Sequence, residues 1–291
     1  MATATAQSAT TANAQSSTPS DVHIKPRNRS HDIADALRGD WLDNNAFLTA
    51  FFNGMSITFP VGEKFFIDSV RHFAGDITDP VLAQQIKGFC GQEGFHRREH
   101  QQYNETLCAA RGYNLDKLEQ KLTQRLAWAQ KTLPPITNLA VTVAIEHFTA
   151  VLAELLLRKG SILDRAEPAM RALWRWHAAE EMEHKSVAFD VYKAVGGTEA
   201  MRKTAMRRVS LLMSIELIRA LLYILRKNGQ LWNFKLWRAG LAGLFGDRGA
   251  FRGGWAPYTA FYANGFHPWQ QDTRALLVQW ASEPQTPDYA T

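Results

Sequence analysis

The chain has 291 residues, 46% hydrophobic and 21% charged, a balance that excludes a largely disordered or collagen-like protein. Lys and Arg number 33 against 28 Asp and Glu, a net charge of +5, but residues 197–252 alone hold 11 basic residues and 3 acidic ones. Two cysteines, Cys90 and Cys108, allow at most one disulfide in a chain this long and point to a reducing compartment.

The first twenty residues are mostly Ala, Thr, Ser and Gln, with neither the basic start nor the apolar run of a secretory signal. They predict a disordered tail, taken to residue 22. An apolar segment over Ala46–Phe66 is interrupted by Pro60, which either kinks one helix or opens a second. Asp79-Pro80 reads as an N-cap and helix start, and Gly112 as the stop of that segment. Asp116–Lys131 predicts a charged connecting helix. Pro134-Pro135 opens an apolar helix running to Lys159, before Gly160. Glu167-Pro168 opens another, running to Val195, and a further helix covers Met201–Lys227. The stretch taken as the longest apolar one, Val209–Leu225, is broken by Glu216 and Arg219 and falls short of the roughly 20 residues that span a bilayer. The reading is a cytoplasmic protein without a membrane span.

Carboxylates inside the four apolar segments carry the chemistry. The first holds only Glu63, the second Glu93-Gly-Phe-His96, the third Glu146 and Glu154, and the fourth Glu181-Met-Glu-His184. Glu, Glu-x-x-His, Glu, Glu-x-x-His is the ligand order of ferritin-like bundles that hold two iron or manganese ions. Residues three apart lie on one helix face, so each Glu and His of a Glu-x-x-His converge on the bundle interior. Four carboxylates and two divalent ions sum to zero charge, which makes their burial tolerable. The predicted ligands are Glu63, Glu93, His96, Glu146, Glu181 and His184, with iron as the expected metal and manganese as the alternative. His100 and His177 lie one turn from His96 and Glu181 and are candidates for orienting partners behind the ligands, the favoured role, or for an additional histidine ligand. Glu154 is the alternative to Glu146. The expected architecture is all-α: a ferritin-like four-helix bundle over residues 23–196 with additional C-terminal helices over 197–291.

Three stretches carry a resemblance to a known family: Phe59-Pro-Val-Gly-Glu63-Lys-Phe-Phe66, Gln92-Glu-Gly-Phe-His96-Arg-Arg-Glu-His100, and Trp176-His177 through Glu181-Met-Glu-His184 to Asp190. They resemble the bacterial family described as predicted metal-dependent hydrolases, over about Ile24 to Glu283. That family resembles ferritin-like di-iron proteins in its helices, and its name implies a bound metal.

Three functions follow in order of expectation. The first is O2-activating oxidation of a hydrophobic small molecule or lipid by a di-iron centre, served by an electron-donor protein. The second is metal-dependent hydrolysis, as the family name implies. The third is metal binding or redox sensing without turnover. Basic residues with Trp232 and Trp237 suit peripheral contact with an anionic membrane, where Arg207, Arg208, Lys235 and Arg238 are expected on one exposed side. No nucleic-acid-binding motif accompanies the charge.

Overall fold

A computed structural model describes residues 15–284; residues 1–14 of the expected tail and 285–291 of the extension lie outside the described residues. The described residues are all-α, with no β-structure beyond an isolated bridge between Leu42 and Ala166. In chain order the helices are α1 (Ala34–Arg38), α2 (Ala46–Arg71), α3 (Pro80–Arg111), α4 (Leu115–Thr132), α5 (Pro135–Leu157) and α6 (Pro168–His184). They are followed by α7 (Val187–Ala194), α8 (Glu199–Lys227), α9 (Phe234–Phe245), α10 (Trp255–Ala260) and α11 (Arg274–Ala281).

Local chemistry sets the boundaries. Asn45, Asp79 and Asn114 accept backbone N–H groups in the first turns of α2, α3 and α4, and prolines occupy the starts of α3, α5 and α6. Gly112 closes α3 at φ 66°, a left-handed conformation that glycine adopts without steric cost. Pro60 stays inside α2 and does not divide it. The helix expected over 168–195 is interrupted at Lys185–Ser186, where Ser186 Oγ bonds Thr18 Oγ1 at 2.8 Å and accepts from Trp269 Nε1 at 3.1 Å.

The core consists of two apolar clusters. One gathers Trp41, Phe52, Tyr103, Leu156, Trp174 and Leu221; the other gathers Phe65, Phe89, Val143, Val187, Tyr192 and Met206. α2 runs from the first cluster to the second, whereas α3 and α5 run the opposite way; α6 packs in the first cluster and leads into α7, which lies in the second. α4 travels from Leu115 on the first cluster to Leu126 and Ala129 in the second, and so carries the chain back along the bundle between the parallel α3 and α5.

Three expectations change. Residues 16–18, placed in the disordered tail, are docked: Ser16 N donates to Asp79 at 2.8 Å, Ser16 Oγ to Gln85 at 2.6 Å, and Ser17 N to Asp190 at 3.1 Å. Polar side chains on α3 and α7 supply partners for this otherwise featureless segment. The longest apolar stretch is not Val209–Leu225: among the described residues Pro135–Leu157 is the one helix long and apolar enough to cross a membrane, and 67% of its apolar window is buried inside the fold. Trp237, expected on the exposed side of α9, instead packs edge-on against Phe47 at 5.1 Å and donates its indole N–H to the Leu231 carbonyl at 2.8 Å.

Candidate metal centre

The polar layer between the two apolar clusters is where α2, α3, α5 and α6 bring their inward acids and histidines together. Ligand-type atoms of Glu93, Glu146, Glu181 and His184 lie within 4.8 Å of one another, and those of Glu63, His96 and His177 form a second such group. None of the seven residues is more than 5% exposed. All six residues singled out by spacing are brought together, and of the two further candidates His177, but not His100, stands in one of the two groups. Glu181 joins the groups. One of its carboxylate oxygens lies 2.9 Å from His177 Nε2 and 3.5 Å from His96 Nδ1; the other lies 3.6 Å from His184 Nε2.

Hydrogen bonds on the outer side of each imidazole fix which nitrogen faces inward. His96 Nε2 donates to Glu180 at 3.0 Å, so Nδ1 is the nitrogen that faces the centre. Gln92 Nε2 donates to Glu183 at 2.7 Å, so Gln92 Oε1 is the acceptor for His184 Nδ1–H at 2.9 Å, and His184 Nε2 points inward. The third case starts at Pro60. Proline has no N–H for the Ser56 carbonyl four residues back, and Asn104 Nδ2 donates to that carbonyl at 3.0 Å instead. The Asn104 amide is thereby oriented to accept the Ser56 hydroxyl proton at 2.7 Å. Ser56 then accepts from His100 Nδ1 at 2.9 Å, His100 Nε2 and His177 Nδ1 share a hydrogen bond at 2.7 Å, and His177 Nε2 faces the centre, 2.9 Å from a Glu181 carboxylate oxygen. Anchoring the outer nitrogen of an imidazole so that the inner one can bind a cation is the usual arrangement around metal-ligating histidines.

The donors fit metal ions. Both oxygens of Glu63, Glu93 and Glu146, one of Glu181, His96 Nδ1 and His184 Nε2 are buried without a hydrogen-bond partner. Orphaned buried groups of this kind are costly unless a cation or a proton serves them. A carboxylate and imidazole set without thiolate suits iron, manganese or a similar divalent ion.

Electrostatics in the metal-free chain point the same way. Burial, with Glu93 close by, pushes the Glu63 carboxyl well above the usual carboxylate range, and burial does the same to Glu146. Burial opposes charge on His96, yet the hydrogen bond to Glu180 and the Glu181 carboxylate close by raise it to about 10. Burial lowers His100 well below the ordinary histidine value and His177 to about 4, so that pair is neutral. Protons thus do for the bare cluster what cations would do for the loaded one.

An outer layer that the spacing argument did not reach holds this set in place. Arg27 donates to Glu180 at 3.0 Å and to Glu183 at 2.6 and 2.9 Å, tying together the partners of His96 and His184. Its segment lies over Gly88 and Gly91 of α3, where an added Cβ would come within 2.6 Å of the Ile24 carbonyl and 2.5 Å of Pro26. Aromatic rings flank the imidazoles: Trp176 at 5.0 Å from His96, Phe59 at 5.1 Å from His177 and Phe89 at 4.9 Å from His184. Glu154, the alternative to Glu146, pairs with Arg158 at 2.5 Å and joins neither group. His147 donates to the Pro257 carbonyl at 3.1 Å as a helix-interface residue. Cys90 and Cys108 are buried free thiols.

Residues 25–272 match the family model described as "Predicted metal-dependent hydrolase". No curated protein and no solved structure matches the chain.

Proposed function

The chain belongs to the predicted metal-dependent hydrolase family, and we propose that it is an enzyme whose centre holds two metal ions. The observation that carries this reading is the set of buried atoms without hydrogen-bond partners on Glu63, Glu93, His96, Glu146, Glu181 and His184. Glu63, His96 and His177 would hold one ion, Glu146 and His184 the other, with Glu93 beside His184 and Glu181 reaching both. The ligand order along the chain and the single crossover through α4 support a ferritin-like arrangement.

Hydrolysis is the first reading of the reaction, because the family description names it. Oxidation is the second; the carboxylate-rich ligand order favours it, and it would require an electron-donor protein. Two bound ions supply Lewis acidity toward water and a carbonyl or phosphoryl oxygen, or, as iron, redox chemistry with O2. The chain's own residues do the rest. Glu180, Gln92 and His100 hold the outer nitrogens of His96, His184 and His177, so the imidazoles keep one orientation. Phe59, Phe89 and Trp176 exclude water around them, which strengthens every electrostatic contact inside. Apolar clusters on both sides of the centre suit a hydrophobic substrate.

The test is an assay of manganese- and iron-loaded protein on ester and phosphoester substrates without O2, beside O2-uptake measurements on the ferrous form with a chemical reductant. Anaerobic hydrolysis that disappears with chelation supports the first reading. O2 uptake coupled to substrate oxidation, with no anaerobic hydrolysis, replaces it with the second.

A further inference from the structure

The outer face of α8 is apolar where a surface helix should be polar. Leu211, Ile215, Ile218 and Leu222 are spaced by four, three and four residues, which places them on one line of the helix, and all four are exposed. The line runs for about 16 Å along the axis. Arg208 and Arg226 lie along one margin of that line and Arg207 along the other, all of them exposed.

α9 extends the surface. On α2, Phe47 and Gly54 are seven residues apart and share a face; Phe47 abuts Gly240 of α9, and Gly54 abuts Ala220 of α8. The two helices therefore cover the same side of the molecule. α9 exposes Phe234, Leu241 and Phe245 beside Lys235 and Arg238, and Trp232 in the connection is 78% exposed. From Lys203 to Phe245 the sequence has a single acid, Glu216, and it is buried against Arg125 and Arg219.

We propose that the outer faces of α8 and α9 dock on an anionic lipid bilayer, with the apolar line and the exposed aromatics entering the headgroup boundary and the flanking arginines and lysines meeting lipid phosphates. A helix of this type, apolar on one line and basic at its margins, lies in the plane of the interface. Charge decides between a bilayer and a second copy of the chain. Two copies pressed together along this line would oppose arginine to arginine, whereas an anionic surface complements them. The inference is independent of the reaction at the metal centre.

The experiment is co-sedimentation of the full-length, metal-loaded protein with phosphatidylglycerol or phosphatidylcholine vesicles at low and high salt, beside sedimentation velocity of the protein alone. The expected result is binding to phosphatidylglycerol that weakens as salt rises, because exposed charges are screened over about 8–10 Å. Ile218→Glu abolishes it, and Arg207→Gln and Arg208→Gln each weaken it about fivefold. Metal content equal to wild type shows that these variants are folded. Equal or absent binding to both lipids overturns the proposal. So does a dimer of the free protein that Ile218→Glu dissociates, which would assign the face to a second copy.

Discussion

Ser56 sits where the missing N–H of Pro60 becomes a constraint on His177, three side chains away. Its hydroxyl accepts from His100 because Asn104 has already taken its proton. Ser56→Ala removes the acceptor that holds His100, and with it the orientation of His177. Loss of such an outer partner typically costs 10–100-fold in metal affinity, so competition with a chromophoric chelator should show a loss of about that size. Unchanged affinity would mean that His177 is held by packing alone. Glu119 gives a separate prediction on α4. Burial, with Asp116 and Glu105 adding, raises its carboxyl from 4.5 to about 7. Between those values the folded chain keeps a proton that the unfolded chain releases, so this group lowers stability as pH rises through the window, and the loss levels off above it. Glu119→Gln should flatten that slope in urea-unfolding midpoints, leaving the variant more stable than wild type near about pH 8 and equal to it near about pH 4. A parallel pair of curves would contradict it.

The segment over residues 16–31 shows which information a linear pattern carries. The starts of α3, α5 and α6 and the end of α3 were legible because their punctuation is local: Asp79-Pro80, Pro134-Pro135, Glu167-Pro168 and Gly112 act within a turn of the ends they set, whereas Pro60 left α2 open as one helix or two and nothing local marked the break after His184. The ligand faces were legible for the same reason, since Glu93 and His96 are one turn apart. Arg27 was not, because its partners Glu180 and Glu183 lie 153 and 156 residues away. Position in α6 alone left two roles open for His177, ligand or orienting partner, because its role depends on contacts with His100 and Glu181. The small residues beneath the segment give it a test. Gly88→Ala would set a Cβ 2.6 Å from the Ile24 carbonyl, and backbone cannot yield as a side-chain tip can. The variant should release the segment, seen as faster proteolysis near Arg27 and a lower metal affinity. Wild-type rates of cleavage would show that the segment tolerates the added methyl.

For the molecule as a whole, a layer of buried acids and histidines separates two apolar clusters, and that layer weakens the bundle unless something neutralises it. Metal binding should therefore appear in global stability. At a free metal concentration about a hundredfold above Kd, the folded state gains about 2.7 kcal/mol, and thermal unfolding should shift upward on loading and return on chelation. A melting temperature indifferent to both would mean that protons alone satisfy the layer.

The central claim is that the six spaced residues, with His177, bind two ions between the apolar clusters. Metal content per chain, measured by plasma mass spectrometry on wild type, His96→Ala and His184→Ala after chelation and reloading, tests it most directly. The account predicts two ions per chain in wild type and a clear loss in each variant, while circular dichroism shows the helices retained. Metal loading unchanged in both variants would contradict it.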